Sequence, residues 1–201
     1  MKKISYIFVF FFYVSSVHAD SLTGYIGFYD GITHPVLGFD HFLAMVSVGI
    51  VSAQIGGRAI WTVPLTFVSI MLIGGSIGIY LELSDSINPY IMAYFPLEPG
   101  IIISVIILGL AVAIGKKLPV RITMACVGIF GFFHGAAHGL EMPLAVNPSL
   151  FALGFVTSTA ALHILGVIIG YFGEQSTISS RLLRIGGVVI ACIGIYAFAK
   201  I

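Results

Sequence analysis

Long apolar stretches, separated by short polar connections, dominate the chain from about residue 35 to its end. A membrane-spanning helix needs roughly 20 apolar residues to cross a hydrocarbon core about 30 Å thick. Six stretches meet this length, at about 35–56, 59–80, 98–115, 119–140, 149–172 and 182–200. The pattern therefore predicts an all-α integral membrane protein, in which residues 20–201 form a single six-helix bundle.

The first 19 residues have the pattern of a secretory signal peptide. Lys2 and Lys3 precede an apolar run, and Val17-His18-Ala19 is a small-x-small cleavage pattern. We expect cleavage to leave Asp20 as the first residue of the mature chain. The alternative is an uncleaved anchor helix, but the apolar run is shorter than a span requires.

The basic residues favour one orientation of the bundle. If the mature N-terminus is outside, only Lys200 among the basic residues of the bundle is external. This distribution follows the positive-inside rule. We therefore expect a multi-pass protein of the bacterial inner membrane with both termini in the periplasm. The residues in or beside the cytoplasmic connections are Arg58, Lys116, Lys117, Arg121, Arg181 and Arg184.

Composition places the chain in a lipid bilayer and excludes several functions. Hydrophobic residues make up 59% of the chain and charged residues 8%, against about a quarter charged in soluble domains. With a net charge of +1 and no long basic run, we expect no nucleic-acid partner. Cys126 and Cys192 lie in separate apolar stretches, which argues against a disulfide framework. No ATP-binding loop is present, since Lys117 is not followed by Ser or Thr.

Small residues recur at helical spacing in several of the predicted spans. Such spacing lets helices approach closely in lipid, where no hydrophobic force drives them together. We therefore interpret these glycines as packing residues, and a homo-oligomer remains open. They are Gly74, Gly78, Gly131, Gly135, Gly139, Gly166 and Gly170.

Polar residues open the first span, in the sequence His34-Pro35-Val36-Leu37-Gly38-Phe39-Asp40-His41. The apolar remainder is too short to cross the membrane alone, so Asp40 and His41 are expected at membrane depth. On a continuous helix, Pro35 fits the first turn. His34 and His41 then share one face two turns apart, with Met45 one turn further in.

The fourth span ends in a second polar cluster, Phe133-His134-Gly135-Ala136-Ala137-His138-Gly139-Leu140-Glu141. His134, His138 and Glu141 follow i, i+4, i+7 spacing and lie on one stripe of the helix. In the predicted topology both clusters lie in the periplasmic half of the bundle. Ionisable groups at membrane depth are costly and usually mark a site or a pathway.

Four further residues are candidates for a secondary path. His163 lies deeper, in the fifth span, and Met45 offers a thioether near the first cluster. Glu82 and Glu98 flank an external connection that lacks Lys and Arg, and can raise the local concentration of cations. The alternatives are a hydrogen-bonded core histidine for His163 and ordinary solvated acids for the two glutamates.

Neutral imidazoles combined with carboxylates suit zinc, copper, iron, cobalt and nickel, whereas calcium and magnesium prefer more oxygen ligands. We therefore expect the bound species to be a divalent transition metal. Affinity alone cannot choose among these ions, and the spacing does not identify the metal.

The two motifs together resemble the two signatures of the HupE/UreJ family, the hydrogenase- and urease-associated nickel or cobalt permeases. The resemblance implies uptake of Ni²⁺ or Co²⁺ from periplasm to cytoplasm by facilitated or secondary transport, with no prosthetic group and no enzymatic activity. Zn²⁺ is an alternative cargo. The resemblance also implies a functional link to hydrogenase, urease or cobalamin maturation. The metal-handling residues implied are His34, Asp40, His41, His134, His138 and Glu141.

Other functions remain open on the residues alone. The strongest is an integral-membrane zinc-dependent hydrolase that uses the same histidines and carboxylates. The absence of an HExxH pattern argues against it. Facing histidines also allow a haem-binding electron carrier, and a structural or sensor role requires no metal flux.

Overall fold

The computed structural model describes residues 21–83, 97–115, 118–142 and 146–201, and this part of the chain contains seven α-helices and no strand. The all-α prediction is confirmed. The predicted signal peptide lies outside the described residues. The helices are α1 (Ser21–Leu37), α2 (Phe39–Ile55), α3 (Ala59–Leu83), α4 (Leu97–Ile114), α5 (Val120–Glu141), α6 (Pro148–Gly173) and α7 (Thr177–Phe198).

Five of these helices, α3 to α7, are each long and apolar enough to cross a membrane. The helices α1 and α2 together supply a sixth candidate, but they are bent by 78° at the break between them. The structure thus has the predicted six spans when this bent pair is counted as one. Its first span is a broken helix.

The prediction of one continuous helix over 35–56 is wrong. Pro35 lies inside α1 near its C-terminal end and does not occupy the first turn of a span. The break falls at Gly38, whose ψ of 103° is extended. Its N–H donates to the carbonyl of His34 (2.9 Å) and closes α1, while its carbonyl accepts from the N–H of Phe42 (2.8 Å) and opens α2.

Glycine is needed at this break because the two helix ends and one imidazole crowd it. A Cβ on Gly38 would lie 3.0 Å from Nδ1 of His41 and 3.2 Å from the carbonyl oxygen of His34. These contacts are tighter than ordinary van der Waals separations. The periodicity of polar and apolar residues indicates the faces of a helix, but it does not indicate a bend within it.

Helix α2 lies at the centre of the bundle. It contacts α3, α4 and α6, and most of its residues from His41 to Gln54 are buried. The outer helices pack mainly in pairs, α3 with α5 and α4 with α7, while α1 packs on α6. His41, near the start of α2, is therefore enclosed by other helices, whereas Asp40 is partly exposed.

The predicted packing role of the glycines is confirmed. Between α3 and α5, a Cβ on Gly131 would collide with the backbone of Phe67, and a Cβ on Gly135 with the backbone of Met71. Between α2 and α6, a Cβ on Gly166 would collide with the backbone of Val46. These helix pairs therefore pack with their backbones in near contact.

The ends of α2, α4 and α6 meet at one end of the bundle. The amide of Gln54 donates to the carbonyl of Val112 (3.2 Å) and to Oε1 of Glu174 (3.3 Å), which links the three helices. Arg58 and Arg121 lie in or beside the connections at this end. The start of α2 and the end of α5, which carry both polar motifs, lie at the opposite end.

Candidate metal centre

Three histidines from three helices meet at the end of the bundle opposite the arginines. They are His34 of α1, His41 of α2 and His138 of α5, and each offers a ring nitrogen within 4.8 Å of those of the others. The ring centroids lie 4.4 Å apart for His41 and His138 and 4.5 Å apart for His34 and His138. This arrangement, here called the histidine triad, is a geometry that can hold a metal ion.

The bend at Gly38 makes the triad possible. On a straight helix, positions seven residues apart are separated by roughly 10 Å along the axis. In the structure the ring centroids of His34 and His41 are 5.9 Å apart. The prediction that the two share one face of a single helix is therefore wrong, although their proximity is real.

Asp40 fixes the orientation of the His41 ring. Its Oδ1 accepts from the backbone N–H of His41 (2.8 Å) and lies 2.6 Å from Nδ1 of the same residue. A carboxylate bonded to one ring nitrogen keeps the proton there and leaves the other free for a ligand. Nε2 of His41 is buried and has no hydrogen-bond partner among the described residues.

His138 and Glu141 lie on the same stripe of α5, but only the histidine joins the triad. His138 is 4% exposed, and neither of its ring nitrogens has a hydrogen-bond partner within the described ranges. The nearest carboxylate oxygen of Glu141 is 3.9 Å from Nδ1 of His138, too far for a hydrogen bond. The Glu141 side chain is 56% exposed and lies at the rim.

His134 lies one turn deeper on α5 and is completely buried. Its Nδ1 donates to the carbonyl of Phe130 (2.8 Å), which leaves Nε2 as the free nitrogen. The ring centroids of His134 and His41 are 5.0 Å apart. His134 is therefore adjacent to the triad and not a member of it.

The sequence as a whole matches one known family. The model of the family described as HupE / UreJ protein matches residues 7–197. The chain belongs to the HupE/UreJ family. A relative, Protein HupE of Rhizobium leguminosarum bv. viciae, is 37% identical over 175 residues, which cover 86% of this chain and 82% of the relative. No solved structure was found to match the chain.

The buried histidines of this HupE/UreJ protein form a row that continues inward from the triad through His134 to His163. His163 of α6 is 2% exposed, and neither ring nitrogen has a hydrogen-bond partner in the described part of the chain. The ring of Phe67 contacts both inner histidines, with its centroid 5.3 Å from His134 and 5.2 Å from His163. The described residues thus show no hydrogen bond of the kind a structural core histidine would make.

The other secondary candidates lie apart from the triad. Met45 is fully buried in the hydrophobic core. Glu82 is exposed near the end of α3 and Glu98 is exposed in the first turn of α4. Most of the connection between these helices, residues 84–96, lies outside the described residues. The roles of these three side chains stay predictions.

One polar residue beside the triad was not identified from the sequence. Asp30 lies one turn before His34 on α1 and lines a cleft of about 340 Å³ above the triad. Its signal was the i, i+4 spacing to His34, which places both on one stripe. The first span was predicted to begin at residue 35, so Asp30 lay outside the predicted helix. The other lining residues are Thr33, His34, Leu37, Gly38, His138, Glu141 and Phe151.

Proposed function

We propose that this HupE/UreJ protein is a membrane permease for a divalent transition metal, Ni²⁺ or Co²⁺. The observation that carries the proposal is the histidine triad, with unpartnered ring nitrogens from His41 and His138 at one end of a transmembrane bundle. Buried imidazoles without hydrogen-bond partners are costly unless a ligand uses them. The protein is proposed to hold no prosthetic group and to catalyse no reaction, and Zn²⁺ remains an alternative cargo.

The triad suits a transported ion because it supplies nitrogen ligands without closing a cage. Three imidazoles satisfy a borderline metal, and water can occupy its remaining coordination positions. A transport site must bind strongly enough to admit the ion and weakly enough to release it. Asp40 contributes negative charge and holds His41 in the tautomer that exposes Nε2.

The row of buried histidines supports a direction for transfer. The ion exchanges part of its water for the triad and passes to His134, whose Nε2 has no hydrogen-bond partner among the described residues. The ring of Phe67 packs against both His134 and His163. Phe67 therefore lies beside the path proposed between these two histidines.

The biological setting follows from the same proposal. The protein lies in the bacterial inner membrane with both termini periplasmic, and imports metal by facilitated or secondary transport. Its cargo supplies hydrogenase, urease or cobalamin maturation. The clustering of Arg58 and Arg121 at the end opposite the triad supports this orientation, since basic residues favour the cytoplasmic side.

The test is ion influx into liposomes that contain the purified protein, with Ni²⁺, Co²⁺, Zn²⁺ and Mg²⁺ compared in parallel. The proposal expects saturable influx of nickel or cobalt that His41→Ala and His138→Ala both abolish. Metal that binds to the protein without crossing the membrane would overturn the permease and favour a metallohydrolase or a sensor.

A further inference from the structure

The cleft above the histidine triad contains two carboxylates that face no cationic side chain. Asp30 and Glu141 both line it, from α1 and α5. No lysine or arginine of the described ranges forms an ion pair with either of them. The cleft therefore concentrates negative charge at the outer end of the bundle.

The remaining polar groups of the cleft point to a cation as its occupant. The hydroxyl of Thr33 donates to the backbone carbonyls of Tyr29 (3.0 Å) and Asp30 (3.3 Å), so its proton is committed. His138 also lines the cleft, is 4% exposed, and has no hydrogen-bond partner for either ring nitrogen among the described residues. The buried imidazole and the two carboxylates above it offer acceptor atoms, which suit a cation and its water ligands.

The size of the cleft allows a hydrated ion to enter it. Water occupies about 30 Å³ per molecule in the liquid, so a divalent metal with six waters needs roughly 180 Å³. The cleft measures about 340 Å³. The volume of the cleft therefore leaves room for a cation with water ligands, whereas the nitrogens of the triad, within 4.8 Å of one another, require direct coordination.

We propose that Asp30 and Glu141 form an outer subsite that binds the divalent metal as its hydrated ion, through its water ligands, before the histidines replace part of that water. The inference rests on the proposed metal site and adds Asp30 as a binding residue. Capture at the carboxylates depends on charge alone. Discrimination between metals follows at the triad, where water must be exchanged for imidazole.

The inert complex hexaamminecobalt(III) tests this subsite, because it resembles a hydrated cation but does not exchange its ligands. The measurement is the rate at which Co²⁺ acquires histidine ligands in the purified protein, followed by its visible absorption. Hexaamminecobalt(III) is expected to slow this step in the wild-type protein by occupying the cleft. A wild-type rate that the complex does not change would overturn the outer subsite.

Variants of Asp30 provide a second test of the outer subsite. Removing one negative charge beside a divalent ion is expected to slow Co²⁺ capture roughly tenfold in Asp30→Asn. The final absorption spectrum should stay unchanged, because the histidine ligands remain. Asp30→Glu should retain the wild-type rate, and so should Glu174→Gln, which removes the same charge at the opposite end of the bundle.

The outcomes separate this inference from the proposed function. Capture that is equally fast in Asp30→Asn, or a changed final spectrum in that variant, would overturn the outer subsite. If Co²⁺ capture is slowed by hexaamminecobalt(III) and by Asp30→Asn as expected, but no metal enters the liposomes, the permease is overturned and the subsite stands. A wild-type protein that binds neither Co²⁺ nor Ni²⁺ would overturn both.

Discussion

The carboxylate of Asp40 lies 2.6 Å from Nδ1 of the neighbouring His41, measured from Oδ1. This contact engages Nδ1 and leaves Nε2 of the ring, which is buried, without a hydrogen-bond partner among the described residues. We expect Asp40→Asn to lower metal affinity about 10–100-fold, the usual effect of losing a group that orients a ligand. Competition titration with Co²⁺ in detergent measures the change.

The Asp40→Asn spectrum distinguishes an orienting group from a metal ligand. An orienting role leaves the number of ligands the same, so the absorption of bound Co²⁺ should keep its form. A changed spectrum would mean that Asp40 itself coordinates the metal. An unchanged affinity would contradict both roles.

Removal of His138 should have a larger effect, because its ring contributes a nitrogen directly to the triad. We expect His138→Ala to reduce affinity by more than the roughly 10–100-fold that follows loss of an orienting residue. Cys126→Ala, also on α5 but toward its other end, is the matched control and should bind normally. Equal affinities in the two variants would exclude His138 as a ligand.

His163 gives a different prediction, because it is not a member of the triad and its ring packs against Phe67. We expect His163→Ala to leave the affinity of the triad unchanged and to slow influx of the metal. Binding by titration and transport in liposomes must therefore be measured on the same preparation. Undiminished flux would assign His163 to the hydrophobic core.

Metal binding should depend on pH through the imidazoles. A nitrogen that carries a proton cannot coordinate metal, so protons compete with the ion at every histidine of the triad. Affinity should therefore be highest at neutral and alkaline pH and fall on acidification, because each protonated ring is a lost ligand. Apparent Kd values measured from alkaline to acidic pH test the dependence, and a flat profile would argue against histidine ligation.

Close packing of α3 and α5 should make Gly135 intolerant of any side chain. A Cβ there would collide with the backbone of Met71. We expect Gly135→Ala to destabilise the protein by about 1–3 kcal/mol, the usual range for overpacking. Gly186→Ala is the control, since no atom lies within 4 Å of its added Cβ. Thermal unfolding in detergent measures both, and equal Tm values would contradict the packing.

The five spans α3 to α7 could be predicted because apolar length alone identifies a span. Convergence of the two motifs was also predictable, since each placed polar residues at membrane depth on the same side. The break at Gly38 was not predictable from these signals. Pro35 fits the first turn of a helix as well as the last turns of another, and hydrophobicity does not choose between them.

The finer arrangement of the site depended on that break. The resemblance implied six metal-handling residues, and the structure groups three of them, His34, His41 and His138, with Asp40 beside His41. Spacing along one helix specifies a stripe. It does not specify which members of the stripe reach a point shared with other helices.

The bent pair of helices α1 and α2 has a consequence for the synthesis of the protein. Both helices enter the membrane early, yet both pack on α6, which the ribosome makes much later. The third imidazole of the triad arrives with α5. The nascent chain therefore carries an incomplete triad until residue 138 of its 201 residues has been made.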